Sequence, residues 1–173
     1  MVENLKYLPS VVGPATDSRK TAYYYVYGYD GTSVGAAKAT ANYTTYGVLY
    51  NWPAAMNACP TGWHLPSDAE WTELTDYLGG EGVAGGKLKE IGTTHWNTPN
   101  TDATNETGFT ALPGGYRRTN GTFVNVGNHG YWWSATENVI DNAWYRIVSY
   151  EYSRVGRYGT IKELGFSVRC LRD

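Results

Sequence analysis

At 173 residues the chain is long enough for one domain with a real core and short for two, so a single domain over 1–173 is expected. A charged fraction of 17% beside 15% aromatic residues is far from the composition of a disordered chain. The net charge of -2 leaves no basic face for phosphates, which argues against a nucleic-acid partner, and no run of about 18 apolar residues exists to form a membrane span.

The start, Met1-Val2-Glu3-Asn4, has neither the basic nor the apolar region of a signal peptide, and a trimmed chain would look the same. Asn4 to Pro9 alternates enough for a first strand. Tyr23 to Tyr29 carries five tyrosines around Val26, which suits a strand wet on at least one face. It reads as an edge strand or, in the sharper reading, as an aromatic interaction surface. Ala36 to Asn42 fits a short helical turn or a loop. Pro53 in a first turn followed by alanines predicts a short helix towards Cys59, stopped by Pro60-Thr61-Gly62.

Ser67 with Glu70 three residues on is a capping box, and Trp71, Leu74 and Leu78 share one helical face. A second helix is predicted from Asp68 to Leu78, ending at Gly79-Gly80. A weaker helical piece covers Val83 to Ile91, where Gly85 and Gly86 argue against it. Gly92 to Asn105 reads as loop. Short strands follow at Phe109 to Leu112, Tyr116 to Arg118 and Thr122 to Val126, with Asn120-Gly121 as a hairpin turn between the last two. Tyr131 to Glu137, Asn142 to Val148 and Gly165 to Cys170 complete the set. Helices early and antiparallel strands late give an α+β domain. Between its outer strands the tail from Asn138 to Leu164 mixes Tyr, Ser, Gly, Arg, Ile and Val without a steady period, as a displayed surface would.

Little in the sequence points to catalysis. His64, His95 and His129 lack ligand spacing and read as structural histidines. No GxSxG, P-loop or GxGxxG occurs. Asp68 and Glu70 are explained by a helix N-terminus, where negative charge is favoured. Asp102, Asn105 and Glu106 could offer oxygen to calcium, but without EF-hand spacing they read as solvated loop residues. No metal or other cofactor is expected. Cys59 and Cys170 lie too far apart for a CxxC site, and both a pair and two buried thiols stay open.

Several blocks carry a resemblance. YGVLYNWPAA, ACPTGWHLPSDAEWTEL, GGKLKEIG, HWNTPNTDATNETGFTALPGGYR, GYWWSATE, NAWYR and GFSVRCLRD together resemble the Fibrobacter succinogenes major paralogous domain over nearly the whole chain. The resemblance implies a C-type lectin-like fold of the branch shared with formylglycine-generating enzymes, with two main helices on small antiparallel sheets. It also implies a disulfide, because C-type lectin folds commonly join a cysteine at the first helix to one in the last strand, the places of Cys59 and Cys170. Formylglycine-generating activity is not implied, since it needs a pair of cysteines in the C-terminal part and Cys170 stands alone there. The EPN or QPD and WND signatures of calcium-dependent sugar binding are absent too.

The tail is also similar to the variable proteins of diversity-generating retroelements, whose adenine-containing codons are randomised. That resemblance implies a ligand-binding set of Val139, Ile140, Asp141, Ile147, Ser149, Tyr152, Arg154, Gly156, Tyr158, Gly159, Thr160, Ile161 and Leu164. Each is reachable from an asparagine codon by changing its adenines. Trp144, Glu151, Lys162 and Glu163 are not reachable in that way or lie outside the set, and are implied scaffold. Tyr, Ser, Gly and Arg in such a segment give contact area and adaptable hydrogen bonds at low entropic cost. The expected function is therefore non-enzymatic binding of a protein or glycan ligand, outside the cell, at a cell surface or on a virion. The competing expectation is a structural or adhesive surface module without a variable site.

Overall fold

A computed structural model describes residues 3–173, so Met1 and Val2 lie outside the described residues. The chain enters as an extended segment and not as the expected strand. Leu5 gives its N–H to Val168 O (2.9 Å) and its carbonyl to Val48 N–H (3.2 Å). It thus bridges two different segments, and no ladder develops along either. In the tyrosine-rich stretch only β1 (Tyr24–Tyr25) is strand. β1 pairs only with β2, as an edge strand would, but Tyr24, Tyr25 and Val26 are all buried, so the wet face expected there does not exist.

Two short helices follow, α1 (Val34–Lys38) and α2 (Ala41–Tyr46), each started by a hydroxyl that accepts a first-turn N–H, from Ser33 and Thr40 respectively. β2 (Leu49–Tyr50) pairs antiparallel with β1. The helix expected from Pro53 to Cys59 shortens to α3 (Trp52–Ala55). Beyond it Asn57 and Ala58 bond back only three residues, a tightening that delivers the chain to Cys59. β3 (Trp63–His64) leads into α4 (Asp68–Tyr77), which opens with the full capping box of Ser67 and Glu70. α5 (Glu81–Leu88) then forms in spite of its glycines.

After the loop, only an isolated bridge between Lys89 and Ala111 marks the strand expected at Phe109 to Leu112. β4 (Gly114–Arg117) and β5 (Phe123–Val126) form the hairpin around Asn120-Gly121. β6 (His129–Val139), β7 (Asn142–Ser149) and β8 (Val155–Ile161) make a three-stranded antiparallel sheet in that order. Most of the tail read as lacking a period is therefore regular strand. Its alternation was hidden because one face is buried by arginines and the other is part exposed. Gly165 to Cys170 is extended but held by single bridges to Tyr50, Arg117 and Trp132, and the chain ends in β9 (Leu171–Arg172) paired with β3. The fold is mixed α and β, with few helices and small antiparallel sheets.

β6 divides the interior. Side chains alternate along a strand, so Trp133 enters a cluster with Tyr50, Ala54, Phe166 and Val168, while Trp132 enters a second with Trp71, Leu88, Trp96 and Val155. Each indole N–H is satisfied, Trp132 by Asn4 Oδ1 (2.9 Å) and Trp133 by Tyr50 O (2.8 Å). Phe166 lies at the centre of the first cluster, stacked on Tyr131 with ring centres 5.1 Å apart and tilted against Trp133 at 4.4 Å.

A disulfide joins Cys59, after α3, to Cys170, before β9, with Cα atoms 5.8 Å apart and 111 residues between them in sequence. A cross-link over so long a loop restricts the unfolded chain, a contribution of roughly 4 to 5 kcal/mol in the chain-entropy account. Replacing both cysteines by alanine is expected to lower the unfolding free energy by about 4 kcal/mol in a urea titration. Reduced wild-type protein should unfold at the same urea concentration as that variant.

Candidate functional site

The strand register of β6, β7 and β8 sorts the tail into two faces. His129, Tyr131 and Trp133 lie opposite Ser149, Ile147 and Tyr145, and the last two lie opposite Gly156 and Tyr158. On the other face Trp132, Arg146 and Arg157 are in line, followed by Gly130, Val148 and Val155. That second face is clamped to the start of α4. Asp68 accepts from Arg146 Nη1 (2.7 Å) with one oxygen and from Arg157 Nη2 (2.7 Å) with the other, while Arg157 also lies over the Trp144 ring at 3.8 Å. Burial pushes the Asp68 carboxyl up, but the hydrogen bonds from Arg157 and Arg146 outweigh it and hold the group below the usual carboxylate range. The helix start, sufficient on sequence grounds to explain Asp68, is thus only part of its role. Glu70, by contrast, serves the cap and also bonds His64.

The first face is free at its β8 end. There a hollow of about 100 Å³ is lined by His129, Ile147, Ser149, Tyr152, Arg154, Gly156 and Tyr158. Six of these come from the thirteen residues implied by the tail's resemblance. Five others of that set, Val139, Ile140, Asp141, Thr160 and Ile161, gather with Gly159 at the turn between β6 and β7. Five residues separate the Ile147–Gly156 pair from the Asn142–Ile161 pair, or about 17 Å of strand. At that end Ile140 is 85% exposed, and Asp141 pairs with Arg19 (3.1 Å). Leu164 belongs to neither group, being half-buried against the Trp133 cluster. Of the implied scaffold residues, Trp144 is stacked by Arg157, Lys162 bonds Glu137 (2.6 Å) and the Ile140 carbonyl (2.8 Å), and Glu163 pairs with Arg19. Glu151 is exposed.

The hairpin loop carrying Tyr152 and Arg154 is fixed through its main chain. Lys89 is fully buried at the end of α5, and its ammonium donates to Ser149 O (3.0 Å), Tyr152 O (3.1 Å) and Thr101 O (2.7 Å). Gly86 N–H donates to Ser153 O (2.9 Å), Thr101 N–H to Tyr150 O (2.9 Å), and Tyr150 N–H to Asn128 O (3.0 Å). The two α5 glycines permit this contact. A Cβ on Gly85 would lie 2.4 Å from Arg154 O, and one on Gly86 would lie 2.5 Å from Asp102 O, both main-chain atoms that cannot yield. A Cβ on Gly156, in the hollow, meets only side-chain atoms of Tyr158 and Ile147, which can turn aside. Burial pushes the Lys89 ammonium down to about 8 against the pull of Asp102.

Reasoning from sequence missed Lys89, Gly85 and Gly86, and counted the glycines against the helix. The visible signal was the GGKL run itself, a helix with two adjacent glycines and then a lysine. His129 was read as a satisfied structural histidine. His64 bonds Glu70 and Asp173, and His95 bonds Glu90, but His129 Nδ1 is buried without a hydrogen-bond partner. Of the residues weighed for calcium, Glu106 pairs with Lys87 (3.1 Å) and Asn105 bonds Thr110. Among the described residues, no three His, Cys, Asp or Glu side chains are grouped to hold a metal, and no helix is long and apolar enough to cross a membrane.

Residues 1–172 match the family model described as Fibrobacter succinogenes major domain. The chain belongs to that family. No curated protein and no solved structure matches it. The match takes in both the α5 platform and the hairpin it supports, so the whole of the hollow falls inside one family domain.

Two expectations follow from these contacts. Asp68→Asn strands the buried Arg146 guanidinium, with a loss of about 3 kcal/mol in unfolding free energy. Because the folded Asp68 titrates below its unfolded value, its contribution is full above about pH 4 and is lost as the pH falls through the folded value. Acid titrations of wild type and variant should therefore converge at low pH. Lys89→Met leaves three carbonyls without donors, which is expected to remove about 3 kcal/mol and to speed amide exchange most in residues 149–154.

Proposed function

We propose that this chain is a non-enzymatic ligand-binding module of the C-type lectin-like class, presented outside the cell or on a virion, and that it receives a protein or glycan partner on the face around the hollow. One observation carries the reading: the main chain of the loop from Ser149 to Arg154 is bonded to Lys89, Gly86, Thr101 and Asn128. Of its own side chains only Ser149, which accepts from Glu151 N–H (3.2 Å), and Tyr150, packed on the second core cluster, help to hold it, so Tyr152 and Arg154 do not. Such a loop can change side chains and keep its shape. A surface built in this way suits recognition, in which exposed Tyr and Arg supply the affinity and a fixed frame limits the entropy lost on binding.

On the same reading the hollow's Ile147, Ser149, Tyr152, Arg154, Gly156 and Tyr158 are positions that a retroelement would diversify, and Lys89, Gly85 and Gly86 lie upstream of the diversified tail. Tyr152 and Tyr158 are 51% and 48% exposed, more than a folding role requires.

The test is an alanine series at Tyr152, Arg154 and Tyr158 against a partner selected from a display library. Each substitution should weaken binding at least tenfold while shifting unfolding free energy by less than about 0.5 kcal/mol. Unchanged binding across all three would refute the face. Sequencing the locus for a near-copy of the tail that differs only at adenines, beside a reverse transcriptase, separates a variable binding face from a fixed adhesive module.

A further inference from the structure

The side chains that line the hollow share one property. Arg154, Tyr152, Tyr158, Ser149 and His129 can all donate hydrogen bonds, and no carboxylate or amide lines the space with them. The Arg154 guanidinium lies over the Tyr152 ring, 5.0 Å from its centre, and among the described residues no acceptor uses its N–H groups. Other arginines of this domain are engaged differently: Arg146 and Arg157 share Asp68, Arg19 pairs with Asp141 and Glu163, and Arg117 bonds the carbonyls of Pro14, Thr16 and Glu163. His129 also lines the hollow, and its Nδ1 is buried without a hydrogen-bond partner. Burial lowers the pKa of this ring, against the pull of exposed Glu151, so it is neutral at neutral pH and adds no second charge.

One cation among hydroxyls and a neutral imidazole, with no carboxylate beside it, favours an anion. A guanidinium favours a planar one, since its paired N–H groups match the two oxygens of a carboxylate. Size limits the choice further. About 100 Å³ is the share of roughly three waters, enough for a carboxylate and its neighbouring methylene. Ile147 and the floor at Gly156 give that methylene an apolar wall.

We infer that the hollow is a pocket for one acidic side chain, an aspartate or glutamate on an exposed loop of a protein partner, with Arg154 as the residue that clamps its carboxylate. Tyr152 and Tyr158 then lie beneath the flanking residues of the partner. This rests on the reading of the same face as a binding surface and narrows the partner to a protein with an acidic anchor.

The test is a nitrogen-15 NMR titration of the whole chain, following the Arg154 side-chain N–H and the amides of Gly156 and Tyr158. The probes are N-acetyl-glutamate N-methylamide, its glutamine counterpart, and glucuronate. Saturable shifts with the glutamate probe, at least tenfold weaker with the glutamine probe and abolished in Arg154→Gln, are expected. Arg154 is exposed and bonded to nothing in the frame, so the variant should fold, as its unchanged spectrum elsewhere would verify. Equal response to the neutral probe, no response to either, or shifts that persist in Arg154→Gln would overturn the inference. Tighter binding of glucuronate would overturn the protein side chain in favour of an acidic sugar. A library-selected partner that is lost on Tyr152→Ala but bound equally by Arg154→Gln would remove the acidic anchor alone and leave the binding face intact.

Discussion

Buried main-chain carbonyls without a ladder partner must still find donors, and this constraint governs the structure. Sheets here are short, and long stretches run irregularly through the interior, so backbone oxygens accumulate where strands cannot serve them. Buried cations collect them. Lys89 gathers three carbonyls, Arg117 gathers those of Pro14, Thr16 and Glu163, and Arg169 gathers those of Phe109 and Thr110. An unpaired buried ammonium would be very unfavourable, but one surrounded by carbonyl dipoles does for two loops what a bound cation could do. Burial nevertheless lowers the pKa of both Lys89 and Arg169, the latter to about 9, so desolvation has not been fully offset. Aromatic faces take part of the remaining load, with Arg117 over Tyr25 and Arg169 over Phe109.

The same device separates frame from face. Had the 149–154 loop been held by its own side chains, each change in them would have altered its course. Because its carbonyls are held from outside, by Lys89 and by the Gly86 N–H, the Tyr152 and Arg154 side chains are left exposed. β6 completes the separation from the other side. Trp132 and Trp133 anchor it in two clusters at once, so the sheet is fixed before β8, its edge strand, is considered. Edge strands invite pairing with foreign chains, and here Arg157 and Tyr158 place bulky groups along that edge.

What the sequence revealed follows the range of the interactions. The capping box at Ser67 and Glu70 and the turn at Asn120-Gly121 are decided within four residues, and both were legible. The family blocks were legible for another reason, since the family match covers residues 1–172. Lys89 was not legible: its acceptors lie 12, 60 and 63 residues away, and nothing near it in sequence marks it as buried. Local rules also misread Gly85 and Gly86, because propensity counts their entropy against a helix and cannot register the main-chain atoms packed upon them. A strand was also expected at Gly165 to Cys170. Tertiary position prevailed there, since a segment threaded between Tyr50 and β6 bonds each at single points and cannot build a ladder with either.

The strand period explains why the predicted binding residues divided as they did. In β8 the even positions Gly156, Tyr158 and Thr160 face with Ile147 and Ser149, whereas Gly159 and Ile161 face with Arg157 and Trp144. A list of residues judged free to vary by residue type alone cuts across both faces. Only the register shows that Arg157, on the even-numbered side of β7, is tied to Asp68 and so belongs to the frame, while its neighbours Gly156 and Tyr158 belong to the hollow. Alternation thus places constraint and freedom on adjacent residues of one strand. The hairpin can then be anchored through its main chain while Tyr152, Arg154 and Tyr158 stay exposed.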